Sequence, residues 1–195
     1  MGMCHAIEEG VADYLDAKID KTWLSPLNDV VKVYPWSRQS WSSHAVSLMI
    51  VKCNQVVTAQ EETRMVEADV TINIICKAES SEFFESSDTD GGGECDELKF
   101  VTPFIRASEH ARLIVQFGSE QVAKHLSGSS EELAALIQPY FPTYTGTEEA
   151  ICVGTCPVFA INYIDIGDHD HSMQDAITQD EFNLTLKGYF EEYAL

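Results

Sequence analysis

Residues 66–76 alternate. Val66, Ala68, Val70, Ile72, Ile74 and Cys76 share one parity, and Glu67, Asp69, Thr71 and Asn73 share the other. Side chains repeat every two residues on a strand and every 3.6 on a helix, so only a strand can sort this segment into an apolar and a polar side. A strand with one wet face belongs in the kind of sheet that antiparallel pairing builds. Its apolar face must then be covered, and the rest of the chain has to supply the cover.

The amino-terminal residues offer one such cover. Ile7, Val11, Leu15 and Ile19 recur every fourth position, Tyr14 widens the stripe, and the pattern predicts an amphipathic helix from residue 3 to about residue 20. Glu8 and Glu9 lie toward its positive end and Lys18 and Lys21 toward its negative end. A short strand, Val30 to Tyr34, stops at Pro35, and the run from Ala45 to Cys53 reads as a strand buried on both faces. A polar turn around Gln60 precedes the alternating strand. After Pro103 a long helix is expected to about His125, with Ala107, Ala111, Ile114, Phe117, Gln121 and Leu126 on its face. Gly118 within it invites a kink or close packing, and Ser127-Gly128-Ser129 stops it. Ser129 and Glu132 have capping-box spacing ahead of a shorter helix that ends at Gln138-Pro139. Residues 139–157 read as a Pro-, Gly- and Thr-rich connection. The strands Val158 to Ile166 and Glu181 to Tyr193 then form a closing hairpin around an acidic turn from Asp165 to Asp175.

Residues 79–99 are rich in Ser, Gly, Asp and Glu and bury too little to order themselves, so an acidic flexible loop or insertion is expected there, anchored by Phe83 and Phe84. The expected fold is a single α+β domain over residues 1–195, with a mainly antiparallel sheet, helices packed on one face and a C-terminal β-hairpin.

Charge narrows the function. Twelve basic residues stand against 32 acidic ones, a net charge of −20. Binding phosphate requires clustered Lys and Arg, and no such cluster occurs, so nucleic acids and anionic membranes are poor partners. No run approaches the roughly 20 apolar residues of a membrane span, and the first residues lack the basic start and apolar run of a signal peptide. The cysteines at 4, 53, 76, 95, 152 and 156 are therefore expected to be reduced.

Reactive constellations are sparse. Cys152 and Cys156 are separated by three residues, whereas a zinc knuckle or redox pair would more often have two, and loop thiols are the plainer reading. In Asp168-His169-Asp170-His171, alternation puts His169 and His171 on one side as candidate metal ligands, but the sequence identifies no third ligand and hairpin turns are naturally rich in Asp. Gly-x-Ser-x-Gly and phosphate-loop motifs are absent. Glu109 and His110 are adjacent on a helix and would not face one site. The expectation is a protein without catalytic centre, cofactor or metal. Trp36 and Trp41, flanking Arg38, suit a rigid aromatic contact with another subunit, and Phe83 and Phe84 are further candidates for such a contact.

The chain resembles the tail terminator, or tail completion, proteins of long-tailed bacteriophages. The resemblance lies in the opening helix Ile7 to Lys21, the strand entering Tyr34-Pro35, the alternating strand Val66 to Cys76 and the long helix from Ile105. It continues through the last strand, Asp180 to Tyr193, behind its Asp-rich turn. It implies a virion structural protein, assembled in the host cytoplasm, that forms a hexameric ring. Such a ring caps the tail tube, meets the head–tail connector or neck proteins, and lets DNA pass without specific binding. On that reading several of Glu67, Asp69, Asp168, Asp170 and Asp175 face a central channel, where like charge keeps the genome from adhering. The alternative is an acidic binding module or DNA mimic docked on a basic partner. A metal-dependent enzyme is the third reading.

Overall fold

The computed structural model describes residues 2–20, 31–36, 47–59, 65–79, 112–113, 115–127, 130–146, 153–174 and 177–191. In chain order these form α1 (Met3–Lys18), β1 (Val31–Pro35), β2 (Ser47–Ala59), β3 (Met65–Glu79), α2 (115–125), α3 (Ser130–Ile137), a 3-10 turn (Gln138–Tyr140), β4 (Thr143–Gly146), β5 (Gly154–Pro157), β6 (Ala160–Gln174) and β7 (Ile177–Glu191).

Five strands make one sheet in the order β1-β2-β3-β7-β6. Only β1 and β2 run parallel, and every other neighbour is antiparallel. This is the expected α+β class. The long strand β3 pairs with β7 from Met65↔Glu191 to Glu79↔Ile177. At about 3.3 Å per residue, fifteen residues span roughly 50 Å.

The alternation of β3 sets the two faces. Ala68, Val70, Ile72, Ile74, Cys76 and Ala78 are all buried. Across the ladder, Val70 meets Leu186, Ile72 meets Leu184 and Ile74 meets Phe182, also buried. Helix α1 brings Ile7, Val11, Tyr14 and Leu15 onto this core, and α2 and α3 add Val115, Val122, Leu133 and Ile137. A fully buried Ile or Leu contributes about 1.5–3 kcal/mol, so this face supplies most of the stability. The buried face of α2 runs through Val115, Ser119 and Val122, with Gln121 and Leu126, while Phe117 is only partly buried. Tyr14 Oη donates to the carbonyl of His125 at 2.8 Å, closing the end of α2 against α1.

Three expectations need correction. The acidic stretch from Asp165 is not a turn but the body of β6, which runs to Gln174 and pairs with β7 out to Gln174↔Ile177. Residues 139–157 are not wholly irregular, because β4 and β5 form a two-stranded antiparallel ladder there. Val158 N–H to the Pro142 carbonyl at 2.8 Å continues that ladder by one rung, and Tyr144 Oη to Glu191 Oε2 at 2.6 Å ties it to the main sheet. Burial and then the Glu191 carboxylate push the Tyr144 phenol up to about 12. Finally, β2 continues past the expected end at Cys53 to Ala59, with Lys52 opposite Asn73 on the polar side of the sheet, while the side chains at 45–50, on which the doubly buried reading rests, lie outside the described residues.

The long helix before residue 112, its start at Pro103, the loop at 80–99 and the cap at Ser129 lie outside the described residues. Among the described residues, no helix is long and apolar enough to cross a membrane.

Candidate functional site

The side of the sheet away from the buried residues carries the acid. Glu67 and Asp69 of β3 and Asp165 and Asp170 of β6 are exposed there, and Glu181 of β7 is partly buried beside them. Lys187 Nζ stands 4.0 Å from Asp69 Oδ2, with both side chains about half exposed. Such a pair is worth about 0–1 kcal/mol. Asp170 is directly opposite Glu181. Like charges in that position cost stability, on the order of 0.2–1 kcal/mol. Asn73 is buried on this side, 8 % exposed, where it donates to Glu181 Oε1 and accepts from Asn54 Nδ2. Asp168 is exposed in the bulge between Ile166 and His169, and its carbonyl accepts from Asn183 Nδ2 at 3.4 Å.

On the opposite side, near the far end of the β6–β7 pair, a polar cluster forms around Asp180. This carboxylate occupies the core parity of β7, two residues before Phe182, and is 5 % exposed. His171, its cross-strand partner on β6, holds Nδ1 against Oδ1. His169 Nε2 lies 3.4 Å from Oδ2, and its ring stacks on Phe182 at 4.2 Å and 5°. Ser119 Oγ of α2 meets the same Oδ2 and the Val115 carbonyl at 2.9 Å. Behind them the buried Cys76 thiol is pushed up by burial first and by the Asp180 charge second, while a Ser119 hydrogen bond acts the other way. The cluster therefore pins the edge strand β6 to β7 and to α2 through one carboxylate.

The two imidazoles expected on one side are thus brought together, and the partner that the sequence reading lacked is Asp180. Even so, among the described residues no group of three or more His, Cys, Asp or Glu side chains is arranged to hold a metal ion. Cys156 is not brought near them. It is disulfide-bonded, with its partner outside the described residues, which corrects the expectation of a reduced thiol. Trp36 is 42 % exposed with the Lys52 ammonium 5.2 Å from its ring centroid, an arrangement that orients the indole at the surface. Trp41, Phe83, Phe84, Asp175, Cys152 and the Glu109-His110 pair lie outside the described residues.

Sequence reasoning missed Asp180 and Ser119. The first carried a usable signal, a charged residue on the apolar parity of a strand. Replacing Asp180 with asparagine is expected to cost about 1–3 kcal/mol, because a charge-assisted partner of two imidazoles and a buried hydroxyl is weakened. Urea unfolding checks the size, and amide exchange should show the loss concentrated in β6. A variant as stable as wild type would mean that the cluster does not hold the edge.

The fold and the site together define an α+β protein with its hydrophobic core on one side of a long sheet and acid on the other. No family model matches the chain, and no curated protein matches it.

Proposed function

We propose that this protein is a virion structural component, a tail terminator or closely related neck protein that forms a ring on the tail tube of a long-tailed bacteriophage. It acts without catalysis. The observation that carries the reading is the acidic side of the sheet. Glu67 and Asp69 of β3 and Asp165 and Asp170 of β6 are exposed along that one side, and Asp170 is kept opposite Glu181 at a cost to stability. A side that spreads carboxylates along its strands, with Asp170 facing Glu181, suits a surface past which DNA must slide, since like charge denies the phosphates a resting place. A ring also needs unlike patches to meet between neighbouring copies. The exposed edge strand β6 and the oriented Trp36 are suited to that task.

Mass photometry of the purified protein, alone and with purified tail tubes, tests the proposal. A species of about six subunits, formed alone or on the tube end, is the expected result. A chain that stays monomeric in both conditions, and binds a basic DNA-binding protein in competition with DNA, would overturn it in favour of an acidic binding module.

A further inference from the structure

The first turn of α1 and the middle of β2 bring two free thiols together. Cys4 is exposed and Cys53 is partly buried, and neither is in a disulfide. Cys4 lies close enough to Cys53 to act on its thiol, pushing it up after the larger effect of burial. A second contact fixes the approach independently. Glu8, one turn along α1 from Cys4 and therefore on the same helix face, accepts the backbone N–H of Cys53 at 2.9 Å through Oε1. Glu8 is 4 % exposed, so this is a buried carboxylate hydrogen-bonded to the strand rather than a surface residue serving the helix dipole. The carboxylate holds α1 over Cys53, and Cys4 is carried into place with it.

We propose that Cys4 and Cys53 are a reversible oxidation site, closing to a disulfide that staples α1 to the sheet when the protein meets a thiol-oxidising medium. The oxidant is a small disulfide such as glutathione disulfide. The Cys4 thiolate attacks one of its sulfurs and releases one glutathione thiolate, giving a mixed disulfide at Cys4. Cys53 Sγ then attacks the Cys4 sulfur, loses its proton to solvent and releases the second glutathione. Two protein thiols are oxidised by two electrons, and one glutathione disulfide is reduced to two thiols. Burial, and after it the contact with Cys4, pushes the Cys53 thiol up to about 12, so the closing step is slow and speeds up with pH. The biological setting, passage from a reducing cytoplasm to an oxidising exterior, rests on the virion reading. The chemistry does not.

The full-length protein is incubated with glutathione disulfide, alkylated, digested with trypsin without reduction and analysed by mass spectrometry. The peptide ending at Lys18 should appear joined to the one running from Cys53 to Arg64. Oxidation should raise the melting temperature by about 5–10 °C, because the link closes a long loop in the unfolded chain. Cys4→Ser, at an exposed position, should fold normally and show neither the joined peptides nor the rise. Cys4 recovered only as its glutathione adduct, or only alkylated, would overturn the proposal. So would an equal rise in Cys4→Ser. Neither result would touch the ring assembly, which mass photometry reads separately.

Discussion

Replacing Phe159 with alanine is expected to cost about 3–5 kcal/mol, the range for deleting an enclosed aromatic ring. Phe159 is fully buried. Its ring lies 6.3 Å from that of Phe141, tilted by 34°. Both rings are seated on glycines. A β-carbon at Gly10 of α1 would run into the Phe141 ring, and one at Gly188 of β7 would come within 2.8 Å of Phe159 Cζ. The core is thus spanned by a ladder of Gly10, Phe141, Phe159 and Gly188. Both glycines sit inside regular elements, where each costs roughly 0.5–1 kcal/mol relative to alanine, and the rings repay that cost. The surroundings are poorly placed to collapse into the hole that alanine would leave. Gln138 holds the backbone on both sides of residue 160, donating to the Phe159 carbonyl at 3.0 Å and accepting from Ile161 N–H at 2.6 Å. A residual cavity adds to the lost transfer energy. Urea titration should show the loss as a lower midpoint with an unchanged slope, and the melting temperature should fall by roughly 10 °C. A loss below about 1 kcal/mol would mean that the ring is not enclosed as described.

The elements legible in the sequence are those with a single solvated side. The β3 alternation and the second half of the α1 stripe each report one boundary between core and water, which periodicity reads directly, whereas residues 6–12 of α1 are buried all round, Glu8 and Glu9 included. The strand β6 defeats the same reasoning. It is an edge strand, exposed on both sides over residues 165–172, so its composition carries little contrast. Register shifts between Ile161 and Tyr163 and between Ile166 and His169 then change its parity twice. What remains, Gly167 among Asp and His, imitates turn chemistry, although charge on an edge strand is also how sheets resist unwanted pairing. The short ladder of β4 and β5 is hidden for a different reason. Four residues are too few to establish a period, and Gly154 enters at φ +96°, a conformation that reads as a loop. The Asp180 cluster joins residues about 60 positions apart, Ser119 to Asp180, and no local pattern encodes such a meeting. Only the misfit of a carboxylate among Thr178, Phe182, Leu184 and Leu186 pointed to it.

Placing valine at Gly188 is expected to cost at least the upper end of the usual 1–3 kcal/mol for overpacking, and to do so by prising β6 from β7. Gly188 sits on the core parity, opposite Ala68 on one neighbour and Ile161 on the other. A side chain there meets the backbone carbonyl oxygen of Ala160 as well as the Phe159 ring. A ring can rotate or shift, whereas a carbonyl moves only with its strand. The two obstacles can be separated. In Gly188→Ala combined with Phe159→Leu the aromatic obstacle shrinks while the carbonyl remains, so the pair should be less destabilised than the sum of the single changes but should not return to the stability of Phe159→Leu alone. Amide exchange should show the loss first in β6, the strand displaced, while the β2–β3 pairing stays protected. The same displacement would carry Asp165 out of line with Thr185 and Asp170 out of line with Glu181. If the proposed ring is built on that edge, it should therefore fail to assemble at temperatures where the α1 core is still folded. Assembly that persists with β6 unprotected would place the subunit contact elsewhere, while Gly188→Ala within about 0.5 kcal/mol of wild type would show that the close approach of Ala160 is not part of the stable fold.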